Sequence, residues 1–155
     1  MSSPDFDTDT ADARFLRMVG ADAQAVARLR EEFTEWLWVR FDLDDVRSSD
    51  IVLVVNEALS NAAEYAYRNW KTSDSITLLA THNASTGALV ITVADRGEWR
   101  PSEPANQKLS RGRGIPLMEA LCDHVEIDRT AGGTHVHLGF DRCRLRLDDR
   151  SRISA

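Results

Sequence analysis

A largely apolar helix with one polar stripe limits most strongly what this chain can form. Residues 51–55 are consecutive apolar residues, so a helix that contains them must be covered on most sides. Glu57, Asn61 and Tyr65 follow at intervals of four, which places them on one face of that helix. Alanines flank this stripe. The pattern predicts a mostly buried helix over about residues 44–67 that carries polar groups on one side.

The other periodic segments place this helix in a layered fold. Their order is strand, helix, helix, strand, strand, loop, helix, strand, strand and a final edge strand. This order predicts helices on one face of a mixed or antiparallel sheet, a two-layer α/β (α+β) sandwich. The remaining predicted elements are a strand at 14–19, a helix capped by Asp22, strands at 76–80 and 88–94, a helix at 115–121, strands at 125–128 and 134–140, and an exposed edge strand at 142–147.

The length of the chain and the composition of its ends predict one domain between two tails. A chain of 155 residues can bury well over half of its unfolded surface in a single domain. Residues 1–12 are acidic and polar and offer little apolar surface, so we expect a disordered tail there. We expect the domain to span residues 13–147 and a flexible C-terminal tail to occupy residues 148–155.

The net charge and the cysteine content of the chain limit which partners and which cellular compartment we expect for it. The net charge of −6 argues against a protein whose main partner is nucleic acid or an anionic membrane. Cys122 and Cys143 lack the spacing of a zinc site or a disulfide framework. No segment approaches the ~18 consecutive apolar residues that a membrane span requires. We therefore expect a cytoplasmic protein without direct contact to nucleic acid or membrane.

The polar stripe of the long helix has the chemistry of a metal-assisted phosphate site. The Asn61 carboxamide offers a hard oxygen ligand suited to Mg²⁺, which usually takes one or two protein ligands besides water and phosphate oxygens. The Glu57 carboxylate, one turn earlier, is placed to accept a proton from a hydroxyl or water that attacks a phosphate. The alternative is that the stripe is only the solvated side of an amphipathic helix.

Acidic and glycine-rich positions later in the chain complete a possible nucleotide site. Asp95 ends a predicted strand and can accept a hydrogen bond from adenine, and Gly97 would let the backbone approach the base. Gly112 and Gly114 precede a short helix, where backbone amides can face phosphates. Taken separately, these glycines and the glycine before Thr134 are also explained by turns and hinges. Together with the helix they predict an ATP and Mg²⁺ site.

Four sequence boxes in the same order give the chain a family resemblance. Residues 57–67 match the asparagine box ExxxNAxxHAY, residues 95–97 match a DxG box, residues 112–118 match a second glycine box, and residues 133–134 match a terminal GT. The chain resembles the GHKL-type ATPases from about residue 13 to 140. Within them it is most similar to bacterial anti-sigma-factor serine kinases. The resemblance implies the histidine-kinase-like ATPase (Bergerat) fold, ATP and Mg²⁺ as cofactors, and serine/threonine kinase activity.

The resemblance also implies a role for individual residues in binding and catalysis. Asn61 would be the Mg²⁺ ligand, and Glu57 the catalytic base. Asp95 would recognise adenine directly, and Thr134 would do so through water.

The glycine boxes and the first helix would supply further groups. Gly97, Gly112 and Gly114 would shape the pocket and its lid, and Arg113 could reach the phosphates as a positive charge. Arg30 in the first helix lies where the family has an arginine implicated in partner contact and γ-phosphate handling. Arg28 is a weaker candidate for that position, and a solvated helix-face arginine is the alternative for Arg30.

The family's biology implies protein partners and leaves three functions open. The expected partners are a sigma factor, an anti-anti-sigma (STAS-domain) protein and a second copy of the chain, paired through the sheet region. The chain departs from the family at Tyr65, where a histidine is usual, and the first glycine box lacks its second glycine. The first hypothesis is therefore an anti-sigma kinase, and the second is an ATP-binding or partner-switching module without kinase turnover. A histidine-kinase catalytic domain ranks last, because no dimerising hairpin with a phosphoacceptor histidine is present.

Overall fold

A computed structural model of the chain describes residues 13–68, 75–95, 114–130 and 133–146. The predicted tails, together with Gly97, Gly112 and Arg113, lie outside these ranges. The elements are β1 (Arg14–Gly20), α1 (Ala23–Arg40), β2 (Phe41–Asp42), α2 (Asp45–Arg68), β3 (Ser75–His82), β4 (Leu89–Asp95), α3 (Gly114–Leu121), β5 (His124–Thr130), β6 (Gly133–Phe140) and β7 (Arg144–Leu145).

The main sheet has five strands in the order β1-β3-β4-β6-β5, and every neighbouring pair is antiparallel. Alternate residues of β3 and β4 point toward the helices and are buried, as their period of two requires. The three helices cover this side of the sheet. The predicted two-layer sandwich with an antiparallel sheet is confirmed.

Helix α1 begins where the sequence predicts it. The Asp22 carboxylate accepts a hydrogen bond from the backbone N–H of Ala25 at 2.8 Å, which satisfies one of the amides left open at a helix start. Its buried side chains recur every three or four residues and pack toward the sheet. They are Val26, Leu29, Phe33 and Leu37.

The opposite side of the main sheet, called the outer face below, has no helix over it among the described residues. On β1 and β4 it exposes apolar side chains, of which Met18 is 64% exposed, Leu16 46% and Val90 40%. Toward β5 it becomes polar, and His137 there hydrogen-bonds the Thr92 hydroxyl through Nδ1 at 2.9 Å. The outer face is therefore apolar at one side and polar at the other.

The predicted edge strand at residues 142–147 forms a different and shorter element. Arg142 has a left-handed backbone, with φ of 56°, which turns the chain away from β6. Only residues 144–145 form a strand, and this β7 pairs with β2 in a separate two-stranded sheet. The predicted alternation is present, since Cys143 is buried between exposed arginines. The prediction was wrong about the length of the strand; residue 147 lies outside the described ranges.

A cluster of charged side chains holds the start of α2 against the turn between α3 and β5. Arg47 donates through Nη2 to the Asp123 carboxylate and to the backbone carbonyl of Asp141, both at 2.8 Å. Asp123 also accepts a 2.7 Å hydrogen bond from the backbone N–H of Asp141. This backbone bond and the Arg47 guanidinium lower the pKa of Asp123. The cluster fixes the position of α2 over the sheet.

Candidate functional site

A pocket opens between helices α2 and α3 and the strands β4, β5 and β6. Its empty volume is about 620 Å³, including the part open to solvent. Four polar side chains reach it from four different elements, namely Asn61, Asp95, Arg129 and Thr134. Residues far apart in sequence thus converge on one cavity. Three of these four residues were predicted from the sequence as nucleotide-binding residues.

The floor of the pocket is a row of residues across three neighbouring strands. Asp95 of β4 is the register partner of Thr134 in β6, and Thr134 is also the register partner of Arg129 in β5. Asp95 and Thr134 are each only 5% exposed. A carboxylate in such a site needs polar partners, because an isolated buried charge is unfavourable. From β4 across β6 to β5, the row offers a carboxylate acceptor, a hydroxyl and a guanidinium cation.

The rest of the wall is apolar and comes from both helices and the sheet. Ala58 and Ala62 lie on α2 next to Asn61, while Ile115 and Met118 contribute from α3. Alanines leave room between helix and sheet that larger side chains would fill. An apolar slot with a few convergent polar groups is the usual form of a small-molecule site.

Helix α2 presents the predicted catalytic pair one turn apart. Asn61 lines the pocket, whereas Glu57 lies one turn earlier, outside the lining and partly exposed. The solvated-stripe alternative for this helix does not describe Asn61, since its neighbours Ala58 and Ala62 are buried in the pocket wall. A metal held by Asn61 and a base at Glu57 are compatible with this arrangement.

Arg30 extends from α1 toward α2 and is not among the residues that line the pocket. Its Nη2 donates to the Ser60 hydroxyl at 2.5 Å, and Ser60 immediately precedes Asn61. Its Nε is shielded from solvent and has no hydrogen-bond partner among the described residues. The structure therefore brings Arg30 to the turn of α2 that carries Asn61. A solvated helix-face arginine is not what is found at this position.

The glycine boxes are described only in part. Gly114 is the first residue of α3, so this box precedes a helix as predicted. Gly97, Gly112 and Arg113 lie outside the described residues, and their roles stay predictions.

Arg129 is the pocket residue that the sequence analysis missed. It lies near the end of β5, and its register partner in β6 is Thr134. Placing Arg129 opposite Thr134 required the actual register of the two strands, in which Thr130 pairs with Gly133. Nothing in the local sequence around Arg129 otherwise distinguishes it from a solvated strand arginine.

The donor set suits a cation that brings most of its own ligands. Within residues 13–68, 75–95, 114–130 and 133–146, no three His, Cys, Asp or Glu side chains are grouped to hold a metal ion. A single carboxamide, Asn61, fits Mg²⁺, which retains waters and binds phosphate oxygens.

Among the residues that the structure describes, no helix is both long and apolar enough to cross a membrane.

Comparisons with known proteins agree with this architecture. Residues 19–140 match the model of the histidine kinase-like ATPase domain. The serine-protein kinase RsbW of Bacillus licheniformis is 28% identical over 126 residues, which cover 73% of this chain and 75% of RsbW.

A solved structure shows the same likeness. The crystal structure of the RsbU and RsbW domains of a Mycobacterium tuberculosis protein superposes with a TM-score of 0.63 at 25% identity. The match covers 88% of this chain but only 33% of that longer one.

Proposed function

The chain belongs to the histidine kinase-like ATPase domain family, and on this premise we propose that it is an ATP-dependent serine/threonine kinase that also acts as an anti-sigma factor. One observation carries the proposal: Asn61, Asp95 and Thr134, from three separate elements, line one pocket. A metal ligand on the helix and base-recognising groups on the sheet are the parts that a nucleotide site requires.

The pocket supports a specific assignment of the nucleotide's parts. The Asp95 carboxylate would accept a hydrogen bond from the exocyclic amine of adenine, and Thr134 would bind the base through water. The apolar wall would hold the ring. Asn61 would hold Mg²⁺, which when bound neutralises charge on the phosphates.

Glu57 is the proposed catalytic base. Its carboxylate would take the proton of a serine or threonine hydroxyl as the hydroxyl oxygen bonds to the γ-phosphorus and ADP leaves. Arg30, held by Ser60 beside the Asn61 turn, would reach the γ-phosphate or the partner. Gly97, Gly112, Arg113 and Gly114 would form the phosphate-facing lid.

The proposed partners are a sigma factor, which the protein would bind, and an anti-anti-sigma protein with a STAS domain, which it would phosphorylate in the cytoplasm. RsbW of Bacillus licheniformis is named as a serine-protein kinase, which supports this substrate class. We also propose that two copies pair through the sheet, whose outer face exposes Leu16, Met18 and Val90. Light scattering on the purified protein would give the mass of the dimer, and a monomeric mass at all concentrations would exclude it.

The deciding experiment mixes the purified protein with Mg²⁺, γ-labelled ATP and a panel of STAS-domain proteins. We expect label on a partner serine or threonine. Glu57→Gln should abolish the transfer while ATP binding stays nearly unchanged, because the variant loses only the proton acceptor. The exposed Glu31 in α1 gives a matched control, and Glu31→Gln should transfer label normally. Full activity of Glu57→Gln would exclude Glu57 as the base.

The second candidate is a partner-switching module without kinase turnover, and the departures at Tyr65 and in the first glycine box favour it. This function predicts that a sigma factor is captured but that no label reaches any partner. It also predicts that capture survives Asn61→Ala. The kinase hypothesis instead predicts that the Asn61→Ala variant loses Mg²⁺-dependent phosphoryl transfer.

A further inference from the structure

The row across the pocket floor contains one residue that the proposed chemistry does not yet use. Arg129 follows Thr134 and Asp95 at equivalent positions of adjacent strands. Neighbouring strands lie ~4.8 Å apart, so the Arg129 backbone is about 5 Å from Thr134 and about 10 Å from Asp95. All three line the same pocket on the helix-covered side of the sheet.

The surroundings of Arg129 differ from those of a solvated strand arginine. Its Nε is shielded from solvent, and the whole residue is only partly exposed. Two residues earlier on the same side of β5 comes Ile127, whose register partner Val136 also lines the pocket. A guanidinium beside apolar side chains interacts more strongly with a ligand than an exposed one, because less water competes.

We propose that Arg129 is a further nucleotide-binding residue and that it contacts the purine base rather than the triphosphate. This inference rests on the proposed nucleotide function of the pocket. The planar guanidinium carries only donors, and it can also stack on an aromatic ring. Asp95 as acceptor and Arg129 as donor match a purine edge, on which an amine and acceptor nitrogens are neighbours.

The position of Arg129 in the row favours the base over the phosphates. Arg129 lies beside Thr134 and in line with Asp95, the two residues proposed to recognise adenine. Asn61, the proposed Mg²⁺ ligand, reaches the same pocket from helix α2 instead. The metal-bound phosphates belong beside Asn61, so the groups along the sheet floor are left for the base.

The test measures the affinities of ATP, ADP and AMP by calorimetry for the full-length protein and for Arg129→Met, which keeps the apolar stem. We expect all three affinities to fall by the same factor, about 10-fold or more, the usual loss for a hydrogen bond with a charged donor. Arg144→Met removes the same charge from an exposed position in β7 and should leave the affinities unchanged.

Two results would overturn the assignment. A loss that shrinks from ATP to AMP would place the guanidinium at the phosphates, and unchanged affinities would remove Arg129 from the site. If the unsubstituted protein binds none of the three nucleotides, the proposed function of the pocket itself fails, which is a distinguishable result.

A second measurement avoids the need for a folded variant. Phenylglyoxal modifies accessible arginines, and peptide mass spectrometry locates the modified residues. On the unsubstituted protein, AMP should slow modification of Arg129 and leave Arg144 unaffected. Equal modification of Arg129 with and without saturating AMP would contradict the contact with the base.

Discussion

The ion pair between Arg47 and Asp123 gives the most direct quantitative test of how α2 is held over the sheet. Arg47 Nη2 and Asp123 Oδ2 lie 2.8 Å apart, and the two side chains are 29% and 34% exposed. Hydrogen bonds to charged groups contribute about 1.5–3 kcal/mol when buried, and exposed pairs contribute about 0.2–1 kcal/mol. We therefore expect a coupling energy of about 1–1.5 kcal/mol for this partly exposed pair.

A double-mutant cycle isolates that coupling. Arg47→Met retains the aliphatic stem near the Phe140 ring, and Asp123→Asn retains an oxygen for the Asp141 amide. Urea unfolding, followed by circular dichroism at neutral pH, would give the free energy of unfolding of the two single variants, the double variant and the parent.

A second, more exposed ion pair of the same protein serves as the comparison for this cycle. The pair between Arg17 and Glu32 has a similar separation of 3.0 Å but keeps 50% and 52% of its side-chain exposure. Its cycle should give less than about 0.5 kcal/mol. If the Arg47 and Asp123 variants are additive within about 0.5 kcal/mol, the pair does not hold α2 and the reasoning from exposure is wrong.

Three further expectations concern acid stability, thiol reactivity and the core. Because the folded pKa of Asp123 is lowered, its stabilisation is present above the unfolded pKa of ~3.9 and is lost as pH falls through the folded pKa. Acid titration should therefore reduce the unfolding free energy of the parent more than that of Asp123→Asn; parallel curves would contradict this. Desolvation raises the pKa of the Cys122 thiol to about 12, so iodoacetamide at pH 8 should alkylate it at least about 100-fold more slowly in the native than in the unfolded protein. Leu59 is fully buried in α2, and Leu59→Ala should cost about 2–5 kcal/mol in urea unfolding, whereas Leu53→Ala at a half-exposed position should cost far less.

The fold could be predicted from the sequence because its main elements are long and periodic. The buried stripe of α1, the Asp22 cap and the alternation in β3 and β4 are local signals, and each was visible before the structure. The short pairing of β2 with β7 was missed, since two residues carry no period. Arg142 adopts the left-handed backbone that leads into this pairing, and no glycine stands there from which the turn could have been predicted.

The site was predictable where several short patterns occur in one order along the chain. Asn61 lies on the polar stripe of a mostly apolar helix, and Asp95 ends a predicted strand two residues before Gly97; each has another explanation alone, and the order of the four boxes joined them in one site. Arg129 required knowledge of strand register, and the bond between Arg30 and Ser60 required the packing of two helices. Such contacts join residues whose separation in sequence gives no sign of their distance in space.

The outer face of the sheet and the pocket lie on opposite sides of the same five strands. Side chains alternate along a strand, so a residue that contacts a ligand in the pocket cannot also point to a protein bound on the other side. A second molecule could therefore cover Leu16, Met18 and Val90 without displacing a bound ligand. If two copies pair through the outer face as proposed, that pairing would not compete directly with a ligand for the pocket.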